Sequence, residues 1–318
     1  MYNNIDKPID IEEQVQLMKK YVVFTRKTKI RRLIQYTGYF RLSRYGKYLL
    51  SYSSILGEKP NQELLFQMYE LDKELRYLLF KYCKKAEIQF KSHLSNAISL
   101  KTNDATFYIN KEYYTSTKGE KSKTVRNRNI NKFNKKFFPN IKDQEEGLRK
   151  NINKYPELRE YRNGGTKSQT NIPSWAAFSY FEFGTITNIY NYLSGELRKE
   201  VLNYGYSKRR YGKEVTKQMD TWLDAIRNLR NACAHHNKII GETSSIVLMS
   251  KEDDVVILKN NTDLFSRIYA LKKILNEKDS IMFKEELSKL VNKSKLDIHK
   301  FNILPKNWGI LFDKISYL

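Results

Sequence analysis

Asn61 to about Leu100 carries apolar residues near 3.6-residue spacing: Leu64, Leu65, Met68, Leu71, Leu75, Leu78 and Leu79. That period belongs to a helix with an apolar face. So long a helical run must be covered by other helices, which commits the chain to a mainly α fold. We expect the run to bend or break once, although no proline marks the place. Asp10 is a helix N-cap, with Glu12 and Glu13 in the first turn and Ile11, Val15 and Met18 as its apolar face. Lys27 to Tyr36 is a second short helix, and Gly38 opens a segment that runs to Leu50. Pro173 fits the first turn of an aromatic helix reaching Leu193, apolar on nearly every side and therefore buried or at a subunit interface. Lys213 to His235, Asp263 to Leu275, Ser280 to Val291 and a short segment around Trp308 complete the helices. Ser245–Met249 and Val255–Leu258 flank Lys-Glu-Asp-Asp and read as a small β-hairpin.

These elements divide the chain into an N-terminal helical region (1–100), a basic polar insertion (101–170) and a second helical region (171–318) that forms one compact unit with the first. The insertion holds Lys118, Lys121, Lys123, Arg126, Arg128, Lys132, Lys135 and Lys136 near a single acid, Glu120. It is either an arm that orders on RNA or a solvated insertion.

With 318 residues, 40% of them hydrophobic, the chain can build a substantial core. Its formal net charge of +23 points to a polyanionic partner, nucleic acid first. An AT-rich genome would enrich lysine, asparagine and isoleucine, but it does not account for the shortage of acids. No run approaches a membrane span of about 20 apolar residues, and the N-terminus lacks an apolar signal core. Cytoplasmic localisation without membrane association is expected. Cys83 and Cys233 make no disulfide scaffold, and with His93, His235, His236 and His299 they make no convincing zinc site. Neither a metal nor a cofactor is expected, and no glycine-rich phosphate loop is present.

Trp222 to Lys238 concentrates chemistry. At about 100° per residue, Trp222, Leu223, Ile226, Leu229 and Cys233 form an apolar stripe. Arg227, Asn231 and His235 form a polar ridge at i, i+4 and i+8. His236 falls at the stripe's edge and is read as a packed histidine near the core. Arg230 lies to one side of His235, since five residues is a poor spacing for contact within one regular helix. The pair either meets at a frayed helix end or serves a groove shared with a second helix or subunit. Arginine can hold a phosphate through its planar fork of donors, and histidine can move a proton near neutral pH. The bland alternative is a solvated polar helix face.

Three ordered segments resemble the abortive-infection family of the AbiD/AbiF kind. The first is the N-terminal Lys-Pro…Glu-Glu-Gln-Val-Gln-Leu-Met-Lys-Lys followed by Tyr39-Phe-Arg-Leu-Ser-Arg-Tyr45. The second is Pro173-Ser-Trp…Glu182-Phe-Gly-Thr-Ile-Thr-Asn-Ile-Tyr190. The third is Trp222…Ile226-Arg-Asn-Leu-Arg-Asn-Ala-Cys-Ala-His-His236. Together they cover roughly residues 7 to 240. That family is similar to the HEPN superfamily of helical domains, many of them metal-independent ribonucleases. The resemblance implies a HEPN-like bundle with additional N- and C-terminal helices. It implies Arg230, Asn231 and His235 as catalytic residues, in a composite site formed by a homodimer. It also implies a phage-defence or toxin-like role, with RNA as substrate and in some relatives a structured noncoding RNA as restraint. Relatives follow the histidine pair with an Arg-Leu-Trp-Asn-like segment; this chain has Asn237-Lys-Ile-Ile-Gly241.

On this reading a ribose 2′-hydroxyl attacks the adjacent phosphate. His235 is general base or acid, Arg230 stabilises the pentacovalent phosphate, and Asn231 orients His235 or the phosphate. Arg227, Lys238, Lys121, Lys123, Arg126 and Arg128 are the expected RNA-binding cations. The competing readings are a non-catalytic RNA-binding protein of a defence system and a protein-interaction module whose motif helix only dimerises. In the first, Tyr39, Arg41, Arg44 and Tyr45 would clamp RNA; their plainer reading is helix packing with solvated arginines.

Overall fold

The computed structural model describes residues 7–115, 123–162, 171–206, 211–254 and 257–318. Three helices, α1 (Ile11–Met18), α2 (Lys27–Thr37) and α3 (Tyr39–Leu50), lead into the long α4 (Gln62–Thr102). The insertion contributes α5 (Lys123–Lys132) and α6 (Phe138–Lys150), joined by a π-helical turn. Then follow α7 (Ser174–Tyr180), α8 (Phe183–Tyr192), α9 (Gly195–Gly205) and α10 (Lys213–Ala234). The last helices are α11 (Leu264–Ile274), α12 (Glu277–Lys293) and α13 (Trp308–Lys314). The mainly α expectation holds.

The centre of the fold is α4. Its 41 residues run unbroken for about 60 Å, so the chain does not break there. The Asn61 side chain accepts from the Leu64 N–H at 3.0 Å, and Asn103, at φ 52°, ends the helix. Several of its faces are covered: α3, α7, α8, α9, α10, α11 and α12 all pack against it. Leu71, Leu75, Leu79, Tyr82, Cys83, Ala86, Phe90, Leu94 and Ile98 are buried along its length.

Two further expectations need correction. The aromatic helix from Pro173 breaks after Tyr180, because Phe181 and Glu182 are extended. The Phe181 carbonyl instead accepts from Lys91 Nζ on α4 at 2.7 Å. The β-hairpin does not form: among the described residues there is no strand, and Val255 lies outside them. Residues 244–250 lie along α10 and α11 and spend their backbone groups there. The Trp222 indole donates to Leu248 O at 2.7 Å, Leu248 N donates to Thr221 Oγ1, and Ser250 N donates to the Tyr269 hydroxyl.

The described part of the insertion is neither a free arm nor a solvated loop. Phe133, Phe137 and Phe138 are buried and gather around Tyr114 and Tyr192, with Phe137 stacked on Tyr192 at 4.5 Å between ring centroids. Burial of several aromatic rings anchors the segment to the helical body. Its cations stay at the surface.

Candidate functional site

The apolar stripe of α10 is borne out: Trp222, Leu223, Ile226, Leu229 and Cys233 are all buried. It faces α4 and α11, and this burial holds the polar ridge outward. The helix does not fray before the motif ends. His235 is its C-cap residue and its N–H still donates to Asn231 O at 3.0 Å. His236 adopts φ 54°, its N–H donating to Cys233 O at 3.1 Å and the Asn237 N–H to Ala232 O at 2.8 Å. This pair of bonds is a Schellman closure, in which a left-handed residue satisfies the last carbonyls of a helix. The closure swings His236 away from the stripe, so it is exposed rather than packed near the core. The His235 ring is also exposed, without a hydrogen bond among the described residues.

Arg230 points to the seam between α10 and α4. Its Nε lies 3.4 Å from Glu87 Oε2, and its Nη1 donates to Asn231 Oδ1 at 3.1 Å. Glu87 is buried and also pairs with Lys91 at 2.9 Å and Lys84 at 3.1 Å. Burial would raise the Glu87 carboxyl, but the bonds from Lys91 and Lys84 outweigh it and hold the group below the ordinary glutamate range. Three cations thus surround one carboxylate, leaving excess positive charge at the seam. Sequence reasoning assigned no role to Lys84, Glu87 and Lys91. Their signal was charges at i, i+3 and i+7 on a helix otherwise rich in apolar residues.

The motif therefore splits. Arg230 and Asn231 touch, while His235 caps the helix five residues on. Arg227 is held by Asp224 and by Thr187 Oγ1 of α8 at 3.2 Å, and it remains partly exposed. Lys123, Arg126 and Arg128 are exposed on α5, whereas Lys121 lies outside the described residues. Lys238 departs from expectation. It is 7% exposed, its Nζ pairs with Glu242 at 2.9 Å, and it sits over the Tyr48 ring, which leaves it no free face for RNA. Cys83 and Cys233 are buried free thiols; burial pushes both well up, Cys233 to about 12, so neither suits a nucleophile.

The chain after the histidines is clamped from below. Asp72, fully buried on α4, accepts from the N–H groups of Ile239 and Ile240 at 3.0 and 2.8 Å. Its second oxygen accepts from the Tyr45 hydroxyl at 2.6 Å and pairs with Arg76. Arg267 on α11 donates to the carbonyls of Ile239 and Glu242. Gly241 closes the clamp at φ 69°, where a Cβ would meet the Tyr48 ring at 2.1 Å. Ile239 and Ile240 are fully buried, so the segment that departs from the family pattern serves the core.

Two depressions flank this helix end. One, of 430 Å³, is lined by Tyr36, Phe40, Arg41, Tyr77, His236 and their neighbours. The other, of 340 Å³, includes Asn228, Asn237 and Arg267. A larger depression, 800 Å³, lies elsewhere, between α4 and α12. Its lining balances Glu63, Glu70, Glu74 and Glu286 against Lys81, Lys289, Lys293 and Lys295, so it offers a polyanion no net attraction. Among the described residues, no group of three His, Cys, Asp or Glu could hold a metal ion, and no helix is long and apolar enough to cross a membrane.

A protein-family model described as Abi-like protein matches residues 32–241. The match spans all of α3 to α10 and ends on Gly241 of the clamp. No curated protein and no solved structure matches the chain.

Proposed function

The chain belongs to the Abi-like protein family, and from that premise we propose that it is a metal-independent endoribonuclease of the HEPN type, serving abortive infection or a toxin-like phage defence. The observation that carries the reading is the fixed end of α10. It presents the exposed His235 imidazole at the C-cap, one turn beyond an Arg230–Asn231 contact. A ribose 2′-hydroxyl would lose its proton to His235 as it attacks the adjacent phosphorus. The 5′-oxygen of the next nucleotide would leave and take a proton from an acid. Arg230, steadied by Glu87, would meet the charge of the pentacovalent phosphate. Asn231 would hold Arg230 through its Oδ1. The products would be a 2′,3′-cyclic phosphate and a 5′-hydroxyl.

A regular helix keeps His235 and Arg230 on different faces. The reading therefore includes a homodimer in which two motif helices complete each other's site, the second His235 acting as the acid. His235→Ala should abolish cleavage of RNA in EDTA and leave the unfolding temperature unchanged. Arg230→Ala should lower the rate at least a hundredfold. Full activity in His235→Ala would contradict the assignment.

One observation favours a second reading, an RNA-binding protein that does not cut and is complexed with a structured noncoding RNA. Arg230 is already paired with Glu87, and the cation-lined depression beside His236 needs no chemistry to hold RNA. Tight, salt-sensitive binding by both wild type and His235→Ala, with cutting by neither, is its signature.

A further inference from the structure

Gly38 ends α2 and begins α3 with φ 82°, a backbone that side chains rarely adopt. The sharp turn brings the last turn of α2 and the first turn of α3 to the rim of one groove. Leu42 and Tyr45 of α3 go inward, and Tyr45 is fixed there by its bond to Asp72. Phe40 and Arg41 go outward. Tyr36 and Phe40 are each 75% exposed, and Tyr77, across the groove on α4, is 56% exposed. Single exposed aromatics are ordinary, but three at one groove mark a binding surface.

The charges around these rings are one-sided. Arg41, Arg44, Lys73 and Arg76 line the groove together with the already occupied Lys238, and no carboxylate does. Four of them are ion-paired: Arg76 with the buried Asp72, Arg44 and Lys238 with Glu242, and Lys73 with Glu70 and Glu74. Arg41 has no ion-pair partner among the described residues. His236, next to His235, forms the other edge. Along α4, Tyr77, Lys84 and Lys91 repeat every seven residues and so share a face. Lys84 and Lys91 pair with Glu87, which links this face of α4 to the Arg230 seam.

We infer that this groove receives the single-stranded RNA adjoining the phosphate attacked at His235, with bases stacked on Tyr36, Phe40 and Tyr77 and the backbone held by Arg41. Exposed aromatic rings interleaved with cations are the chemistry of single-strand binding, because every base has a face to stack. The inference rests on the ribonuclease reading for the neighbouring chemistry, and binding separates the two.

The test is fluorescence anisotropy with 5′-fluorescein octaadenylate, using the full chain carrying His235→Ala so that the probe is not consumed. Phe40→Ala with Tyr77→Ala should weaken binding at least tenfold and leave the unfolding temperature unchanged, since both rings are exposed. Arg41→Ala should weaken binding and reduce the slope of log affinity against log salt by about 0.7. Lys289→Ala with Lys293→Ala, at the charge-balanced depression between α4 and α12, should leave the affinity within about threefold of the parent. Unchanged affinity and slope in the groove variants would overturn the inference, as would a glutamate-rich octapeptide that binds as tightly as the RNA. If the native chain cuts RNA and the groove variants bind and cut as it does, the groove assignment falls and the nuclease reading stands. If the native chain cuts nothing and the groove variants still lose binding, the nuclease reading falls and the groove stands.

Discussion

His235 and His236 adjoin in sequence, but their backbones give them different roles. His235 keeps near-helical angles; His236 takes φ 54°. Helical periodicity correctly placed the apolar stripe of α10 and the outward ridge of Arg227, Asn231 and His235. It misplaced His236 because a 100° step no longer applies once the chain turns left-handed. A histidine in that conformation is strained relative to glycine by about 1 kcal/mol. His236→Gly should therefore leave stability unchanged or raise it by up to about 1 kcal/mol, read as the urea midpoint. A loss of more than about 1 kcal/mol would mean that the side chain is held after all. Lys238 was misread for a related reason: its neighbours on the clamp, Glu242 and Tyr48, are not signalled by spacing along a helix.

Among elements, α4 decides where the site can be. Its start and apolar period were legible in the sequence; its continuity was not, because burial on several faces hides the usual one-sided pattern. The Tyr-Phe-Arg-Leu-Ser-Arg-Tyr segment of α3 divides its labour. Tyr45 locks α3 to Asp72, as packing would suggest, while Phe40 and Arg41 face solvent. Asp72 joins α3, α4 and the segment after the histidines through one carboxylate. Asp72→Ala would leave Arg76 buried without its counter-charge and two N–H groups without an acceptor. It should cost about 3–5 kcal/mol, against about 1 kcal/mol for Tyr45→Phe, in urea unfolding. Equal small losses in both variants would show that the clamp bears little of the stability. The break between α7 and α8 was likewise not visible in composition, since it depends on Lys91, about ninety positions earlier, meeting the Phe181 carbonyl.

At the scale of the molecule, the net charge of +23 fits a polyanionic partner, and the fold sorts that charge. The depression between α4 and α12 mixes four glutamates with four lysines, whereas the charged side chains lining the one beside the histidines are all cationic. The insertion was not legible as packed structure because its aromatic anchors are scattered among lysines. Stability should also depend on pH through His93, whose half-buried ring packs edge-on against Tyr206 and is pushed down to about 4 by burial. The unfolded chain, with an ordinary histidine near 6.5, binds a proton in that window that the folded protein does not. The contribution is complete above about pH 6.5 and is lost as pH falls toward 4, by about 2 kcal/mol after allowing for the ring's partial exposure. Comparing urea midpoints at pH 7 and 4.5 should give a smaller drop for His93→Gln than for wild type; equal drops would rule this out. The central claim concerns chemistry, and the ends of the cut RNA report on it most directly. After incubation of end-labelled RNA with the native chain in EDTA, mass analysis should find 2′,3′-cyclic phosphate and 5′-hydroxyl ends, absent with His235→Ala. Cutting that leaves 3′-hydroxyl and 5′-phosphate ends, or that persists in the variant, would contradict it.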